Sequence, residues 1–159
     1  MRVGIGYDVH PLVPGRRLVL GGVEIQFDKG LSGYSDADVL THAIMDALLG
    51  AAGLRDIGSQ FPSENPEYKD ISSLVLLDKV SKLLKAKGFR VGNIDAVVVA
   101  EQPKISPFIE DMRGYISRTL GVNPEQVMIK ATTTDGLGFA GRGEGIAAYA
   151  VALVEEETR

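Results

Sequence analysis

No cysteine occurs among the 159 residues. Disulfides and thiolate metal sites are therefore excluded, and any metal must take nitrogen and oxygen ligands. Histidine is nearly as scarce, with two copies, His10 and His42. No apolar run approaches the ~18 residues that mark a membrane-spanning helix, so no membrane partner is expected. Positive charge is not in excess. The net charge is −4, which gives no global attraction to nucleic acid or to an anionic membrane. An anionic ligand must then be held by local donors or by a metal. The Walker-type Gly-x-x-x-x-Gly-Lys-[Ser/Thr] loop is missing, and Gly4-x-Gly6 lacks the later glycine and the following helix of a dinucleotide fingerprint. The Gly-x-Ser-x-Gly elbow of a hydrolase-type triad is missing too. Met1 leads straight into an apparent strand, leaving no room for a signal or transit peptide, which predicts a cytoplasmic protein.

What is present suits one domain over residues 1–159 with a sizeable core: 45% hydrophobic residues, 24% charged. Arg2 to Asp8 reads as a strand closed by Pro11. Arg17–Leu20 and Val23–Phe27 read as a hairpin, because Gly21-Gly22 between two β-prone runs fits a primed turn. Asp28-Lys29-Gly30 is a further turn, leading through a loop to a first helix over about 37–52. Ser35 or Asp36 can cap that helix, and Gly53 can stop it. Residues 55–70 read as irregular. A second helix over 71–87 carries Leu74, Leu77, Val80, Leu83 and Leu84 inward and a lysine-rich face outward. A strand follows over 89–100. Ser106 can cap a third helix with Pro107 at its first position, running to Leu120 with Ile109, Met112, Ile116 and Leu120 inward. Strands close the chain at 127–133 and 146–154. The pattern predicts an α/β or α+β layer fold: a mixed sheet of about four main strands, helices packed on one face, and a small hairpin.

The chemistry gathers around residues 33–62. Helical spacing sets Asp38, His42 and Asp46 on one stripe, each four residues from the next. In the first strand Asp8 and His10 point to the same side. Asp8, His10 and His42 would form a two-histidine, one-carboxylate set that leaves a fourth coordination position open, as catalytic zinc sites do. The alternative is that each histidine is an ordinary surface or core residue. Near the C-terminus, Thr132-Thr133-Thr134-Asp135-Gly136 offers hydroxyls, backbone N–H groups and a carboxylate, and Asp135 could hold a Mg²⁺ that bridges phosphate oxygens. Arg142, in Gly141-Arg142-Gly143, puts a guanidinium in flexible backbone, a usual anion anchor. Either motif alone is equally an ordinary strand end or turn.

Together the motifs are specific. Asp8-Val9-His10, Ser35-Asp36-Ala37-Asp38-Val39 with His42, Asp46–Ala51, Asp56-Ile57-Gly58 with Phe61-Pro62, Lys130–Thr134 and Gly141–Gly145 resemble, in order and over essentially the whole chain, the 2-C-methyl-D-erythritol 2,4-cyclodiphosphate synthase family of non-mevalonate isoprenoid biosynthesis. The resemblance implies a metal-dependent phosphorus–oxygen lyase. It would convert 4-diphosphocytidyl-2-C-methyl-D-erythritol 2-phosphate to the cyclic diphosphate with release of CMP, the substrate's 2-phosphate attacking the β-phosphorus. It also implies a homotrimer with sheets around the axis, active sites shared between subunits, and a central channel that could take an isoprenoid diphosphate.

Carried over by residue, the resemblance makes Asp8, His10 and His42 the zinc ligands. Asp135 stands beside a second ion, Mg²⁺ or Mn²⁺, where the family usually has Glu. Tyr34 and Thr133 match positions that stabilise the transition state. Asp56 and Gly58 match residues around the erythritol part, with Ser35, Ile57, Phe61, Ser63, Glu64 and Asn65 in the same substrate-binding set. Ala100, Pro103, Lys104, Ala131 and Thr132 match the cytidine pocket of the neighbouring subunit, extended by Ile105, Ser106 and Thr134. Phe139 and Arg142 match residues near the phosphates and the channel. Three departures stand out: Tyr34 where the family usually has His, Ser63-Glu64-Asn65 in place of the family's Asp-Thr-Asp, and Asp135 for Glu. Two other readings fit the same residues. One is a metal-dependent phosphohydrolase, in which the ligands activate water. The other is a non-catalytic trimer that binds isoprenoid diphosphates.

Overall fold

Strand β1 spans Arg2–Pro14 and does not end at Pro11. The proline falls where the strand changes partners. Arg2–Pro11 pair antiparallel with the C-terminal strand, and Leu12–Pro14 pair with residues 29–31. Proline has no N–H to give a ladder, but its carbonyl accepts from Ser32 N at 2.9 Å, so the strand passes through it. The structure, a computed structural model, describes residues 1–157. The hairpin forms as β2 (Leu18–Leu20) and β3 (Val23–Ile25), with Gly21 and Gly22 at φ 56° and 76°, the two positive values a type I′ turn requires. The segment read as turn and loop supplies a short strand β4 (Lys29–Leu31). The main sheet therefore has five strands rather than about four, in the order β4-β1-β7-β5-β6, with β5 (Phe89–Val99), β6 (Val127–Thr132) and β7 (Gly145–Glu156). Only β5 and β6 run parallel, joined through a crossover helix.

Helix α1 (Val39–Ala52) is buried except at Asp46 and Gly50 and lies across β1 and β7. It begins two residues later than expected, and neither Ser35 nor Asp36 caps it. Asp38 does, accepting from Thr41 N and also from the Gly21 and Gly22 amides of the hairpin turn. Asp38 is thus turned toward the hairpin and does not flank His42. Gly53 ends the helix in the left-handed conformation. The segment 55–70 is less irregular than expected: α2 (Ile57–Gln60) is capped by Asp56, and Pro66–Tyr68 form a 3₁₀ turn capped by Asn65. Helix α3 (Ser73–Ala86) buries Leu76, Leu77, Val80 and Leu84, while Leu74 and Leu83 are only half-buried. Helix α4 (Ile109–Leu120) buries Met112, Ile116 and Leu120, with Ile109 half-buried. Ser106 begins a 3₁₀ turn instead of capping this helix. A last short helix, α5 (Gly138–Gly141), precedes β7.

Helices cover one face of the sheet. On β7, Ala148, Ala150, Ala152 and Val154 are buried on that side, while Tyr149 and Val151 are exposed on the other. Val3, Ile5, Tyr7 and Val9 extend the exposed row onto β1. A bare apolar sheet face of this kind marks an interaction surface.

Two glycines set how closely α1 sits on β1. A Cβ at Gly6 would collide with the Ala43 carbonyl, and one at Gly4 with the Ala47 carbonyl. The obstacle is helix backbone, which cannot rotate away. Gly6→Ala is expected to destabilise the fold by about 3 kcal/mol, at the upper end for overpacking. Urea unfolding checks this; a midpoint unchanged from wild type would contradict it.

Candidate active site

Asp8 and His10 project from β1 on the side of Gly4 and Gly6, toward α1, and His42 comes down from α1 to meet them. Asp8 Oδ2 lies 2.9 Å from His10 Nε2 and 3.0 Å from His42 Nδ1, and the two ring nitrogens are 3.3 Å apart. The third bond of each imidazole points away from this cluster. His10 Nδ1 faces the Ser32 carbonyl at 2.9 Å, so Nδ1 keeps a proton, and Nε2 is the nitrogen that would turn its lone pair to a cation. His42 Nε2 faces the hydroxyls of Ser73 at 2.9 Å and Ser35 at 3.2 Å. Asp8 is partly buried, and burial alone would raise its carboxyl. Its hydrogen bonds from the two imidazoles and their charge outweigh this and bring it to about 2. For His10, burial lowers the value, but the Asp8 carboxylate raises it above the usual imidazole range.

Three N and O donors spaced by 2.9–3.3 Å, from two rigid elements, fit a small tetrahedral cation with one position left open. The cluster opens into a cavity of ≈ 420 Å³ that Tyr34, Ser35, Ile57, Gly58, Phe61, Ser63 and Glu64 also line. Asp56 and Asn65 stand just behind this wall. Asp56 accepts from Ser59 N at 2.7 Å, which holds its carboxyl below the usual range, and Asn65 caps the turn at Pro66 and accepts from Tyr34 Oη through its carbonyl. Asp46 supports the wall from α1. It accepts from Ile57 N at 2.8 Å, and burial pushes its carboxyl up.

The remaining expected residues gather elsewhere. Ala100, Pro103, Lys104, Ile105, Ser106, Ala131, Thr132 and Thr133 line a second cavity of ≈ 350 Å³, which shares no residue with the first. Sheet register gives the separation. Asp8 pairs with Ala148, Ala148 with Val98, and Val98 with Ala131. The two cavities thus lie at one end of the sheet, three strand spacings apart, or about 14 Å. Thr134 and Asp135 follow β6, Asp135 with φ at 53°, and Asp135 is not part of the histidine cluster. Arg142 pairs with Glu144 at 3.0 Å in the open, and Phe139 is exposed.

Glu101 and Ser73, not singled out in the sequence, enter here, together with Asp36 in a role other than the helix cap expected of it. Glu101 accepts from Thr134 N and Gly136 N, clamping the loop on either side of Asp135. Ser73 and Asp36 stand behind His42. A serine at the start of a leucine-rich helix carries no sequence signal for this; only the fold brings it to residue 42.

Known proteins resemble this chain over nearly its whole length. The profile of the YgbB family matches residues 1–155. The 2-C-methyl-D-erythritol 2,4-cyclodiphosphate synthase of Pelotomaculum thermopropionicum is 64% identical over 98% of this chain and 96% of its own. The bifunctional IspDF of Campylobacter jejuni superposes with a TM-score of 0.94 at 40% identity, over 98% of this chain and 42% of that longer one. A Plasmodium falciparum IspF–CDP complex superposes with a TM-score of 0.87 at 32% identity, over 99% of this chain and 97% of its own. The chain belongs to the YgbB family, whose members include the 2-C-methyl-D-erythritol 2,4-cyclodiphosphate synthases.

Proposed function

We propose that this chain is a 2-C-methyl-D-erythritol 2,4-cyclodiphosphate synthase, acting on 4-diphosphocytidyl-2-C-methyl-D-erythritol 2-phosphate in the non-mevalonate pathway to isoprenoids. The observation that carries the reading is the convergence of Asp8, His10 and His42 at the edge of a cavity, in a chain 64% identical to a synthase of that name. A 2-phosphate oxygen of the substrate forms a bond to the β-phosphorus. The bond from that phosphorus to the bridging oxygen breaks, and CMP departs with the oxygen. No protein nucleophile is needed, so the chain's task is to position the phosphates and offset their charge.

When bound, Zn²⁺ at Asp8, His10 and His42 and Mg²⁺ or Mn²⁺ at Asp135 supply positive charge against the reacting phosphates. Tyr34, more than a third exposed at the cavity wall, donates a hydrogen bond from its phenol where a histidine could also bring charge. Thr133 offers a hydroxyl beside the nucleotide pocket. Asp56, Ile57, Gly58, Phe61, Ser63, Glu64 and Asn65 form the rim that would hold the erythritol part. The Ala100–Ser106 turn with Ala131, Thr132 and Thr134 takes the cytidine. Phe139 and Arg142 lie toward the phosphates and a central channel fitted to an isoprenoid diphosphate.

A homotrimer belongs to the same proposal. Its support is twofold: the bare apolar face of β1 and β7, and the ~14 Å between the two cavities of one chain, too far for one reacting phosphate to touch both. Neighbouring copies would join one cavity to the other. Among the described residues no helix is long and apolar enough to cross a membrane, and we place the reaction in the cytoplasm.

The test is ³¹P NMR of the purified protein with this substrate, Mg²⁺ and Zn²⁺. CMP together with a cyclic diphosphate is expected. CMP with a linear product would make the chain a phosphohydrolase, and no reaction with zinc bound would make it a binding module.

A further inference from the structure

Behind His42 runs a short chain of hydrogen bonds that the reaction itself does not use. Ser73 is completely buried at the first position of α3. Its hydroxyl gives a short hydrogen bond to Asp36 Oδ1, and its backbone N–H donates to Asp36 Oδ2 at 2.9 Å. Asp36 Oδ1 also accepts from Asp38 N at 3.1 Å, and the Asp36 amide donates to the Ile71 carbonyl. Asp36 is thereby fixed from both sides and offers Ser73 only an acceptor. The Ser73 proton is committed to it. What remains on the oxygen toward His42 is a lone pair.

We infer that Ser73, held by Asp36, is a positioning residue: it accepts from His42 Nε2–H and so presents the Nδ1 lone pair to a cation held with Asp8 and His10. With no cation bound, Asp8 Oδ2 at 3.0 Å from Nδ1 competes for the same proton, so the arrangement behind His42 counts when a cation takes that place. With Nε2–H donating to Ser73 Oγ over 2.9 Å, every group in the chain has a partner. With the proton on Nδ1, Nε2 and Ser73 Oγ would press two lone pairs together, and an N–H would occupy the place of a ligand atom. Ser35 does not duplicate the role. Its oxygen is 3.2 Å from Nε2 and accepts from Ala37 N, but no carboxylate claims its own proton. It can therefore either donate to Nε2 or accept from it, and it is indifferent to the tautomer. His10 is fixed in the opposite sense by the Ser32 carbonyl. The two imidazoles thus present unlike nitrogens, one Nε2 and one Nδ1, each locked from behind. Partners of this kind orient a metal-binding histidine, and their loss typically weakens metal affinity by about 10–100-fold.

The inference rests on the metal-site reading above, and the test keeps the two apart. The chain has only two histidines, so zinc-loaded protein labelled with ¹⁵N-histidine gives four ring-nitrogen signals. His42 is expected to bind through Nδ1 and to carry a slowly exchanging Nε2–H. In Ser73→Ala that N–H is expected to exchange with water faster, with the zinc dissociation constant, measured by chelator competition, raised ~10–100-fold. Ser73→Thr, which keeps the hydroxyl, is expected to return both readouts toward wild type. A zinc affinity in Ser73→Ala within about twofold of wild type would overturn the inference. So would a zinc-loaded wild-type spectrum with His42 bound through Nε2, which decides the matter even if Ser73→Ala does not fold. Wild-type protein that takes up no zinc would refute the metal reading and the inference with it.

Discussion

His42→Ala is expected to give a folded protein that no longer retains zinc and no longer releases CMP. His42 supplies one of three donors, and its ring spans the gap between Asp8 and the hydroxyls of Ser73 and Ser35. Its loss leaves two ligands from one strand, Asp8 and His10, with no second element to close the set. Turnover is expected to fall by ~10³-fold or more, the scale on which a single electrostatic contact to a reacting oxygen is felt. The fold has less at stake. Alanine is the best helix former, and the lost hydrogen bonds are worth about 1–3 kcal/mol together. Metal content after dialysis, circular dichroism and the ³¹P assay separate these effects. Stoichiometric zinc in the variant would disprove the ligand assignment.

Ile5→Lys is expected to abolish activity from a position that touches no substrate. Ile5 is 73% exposed on the bare sheet face, with Val151 beside it in register. In a lone chain a lysine there points into water, and stability should change by no more than about 0.5 kcal/mol. At an interface the same ammonium would be buried among valines and tyrosines with no partner, a cost of several kcal/mol at each copy. Sedimentation is expected to move from three chains to the 17.0 kDa of one. Turnover should vanish with it, because the two cavities of a single chain stay ~14 Å apart. A variant that sediments like wild type and keeps full turnover would argue against both the interface and the shared site.

Where the sequence was legible, local chemistry decided the outcome. Gly21-Gly22 had to turn, Gly53 had to end a helix, and the leucine spacing of α3 needed a core. Elements whose form depends on a distant partner were not legible. β4 exists because Leu12 to Pro14 lie alongside it, and β1 passes through Pro11 because Ser32 N–H donates to the proline carbonyl. Asp38 illustrates the limit for the site. Helical periodicity groups it with His42, but two hairpin amides and the helix cap draw its carboxylate elsewhere. The cluster of Asp8, His10 and His42 was legible because each lies on a regular element. The groups behind it, Ser73 and Asp36, were not, nor was Glu101 beside Asp135, since their spacing along the chain reveals nothing about which loops meet.

The absence of side chains at Gly4 and Gly6 also bears on how this chain can vary over evolutionary time. The ligands Asp8 and His42 belong to different elements, and the gap between them is a thickness, set where strand meets helix at Gly6 and Gly4, two and four residues before Asp8. No change of side chain at 43 or 47 removes a backbone carbonyl, so in related chains a larger residue at position 4 or 6 is expected only where the helix itself has shifted outward. An aligned set of such sequences should show glycine at both positions as clearly as the identity of the ligands, although neither residue touches an ion, a phosphate or a base.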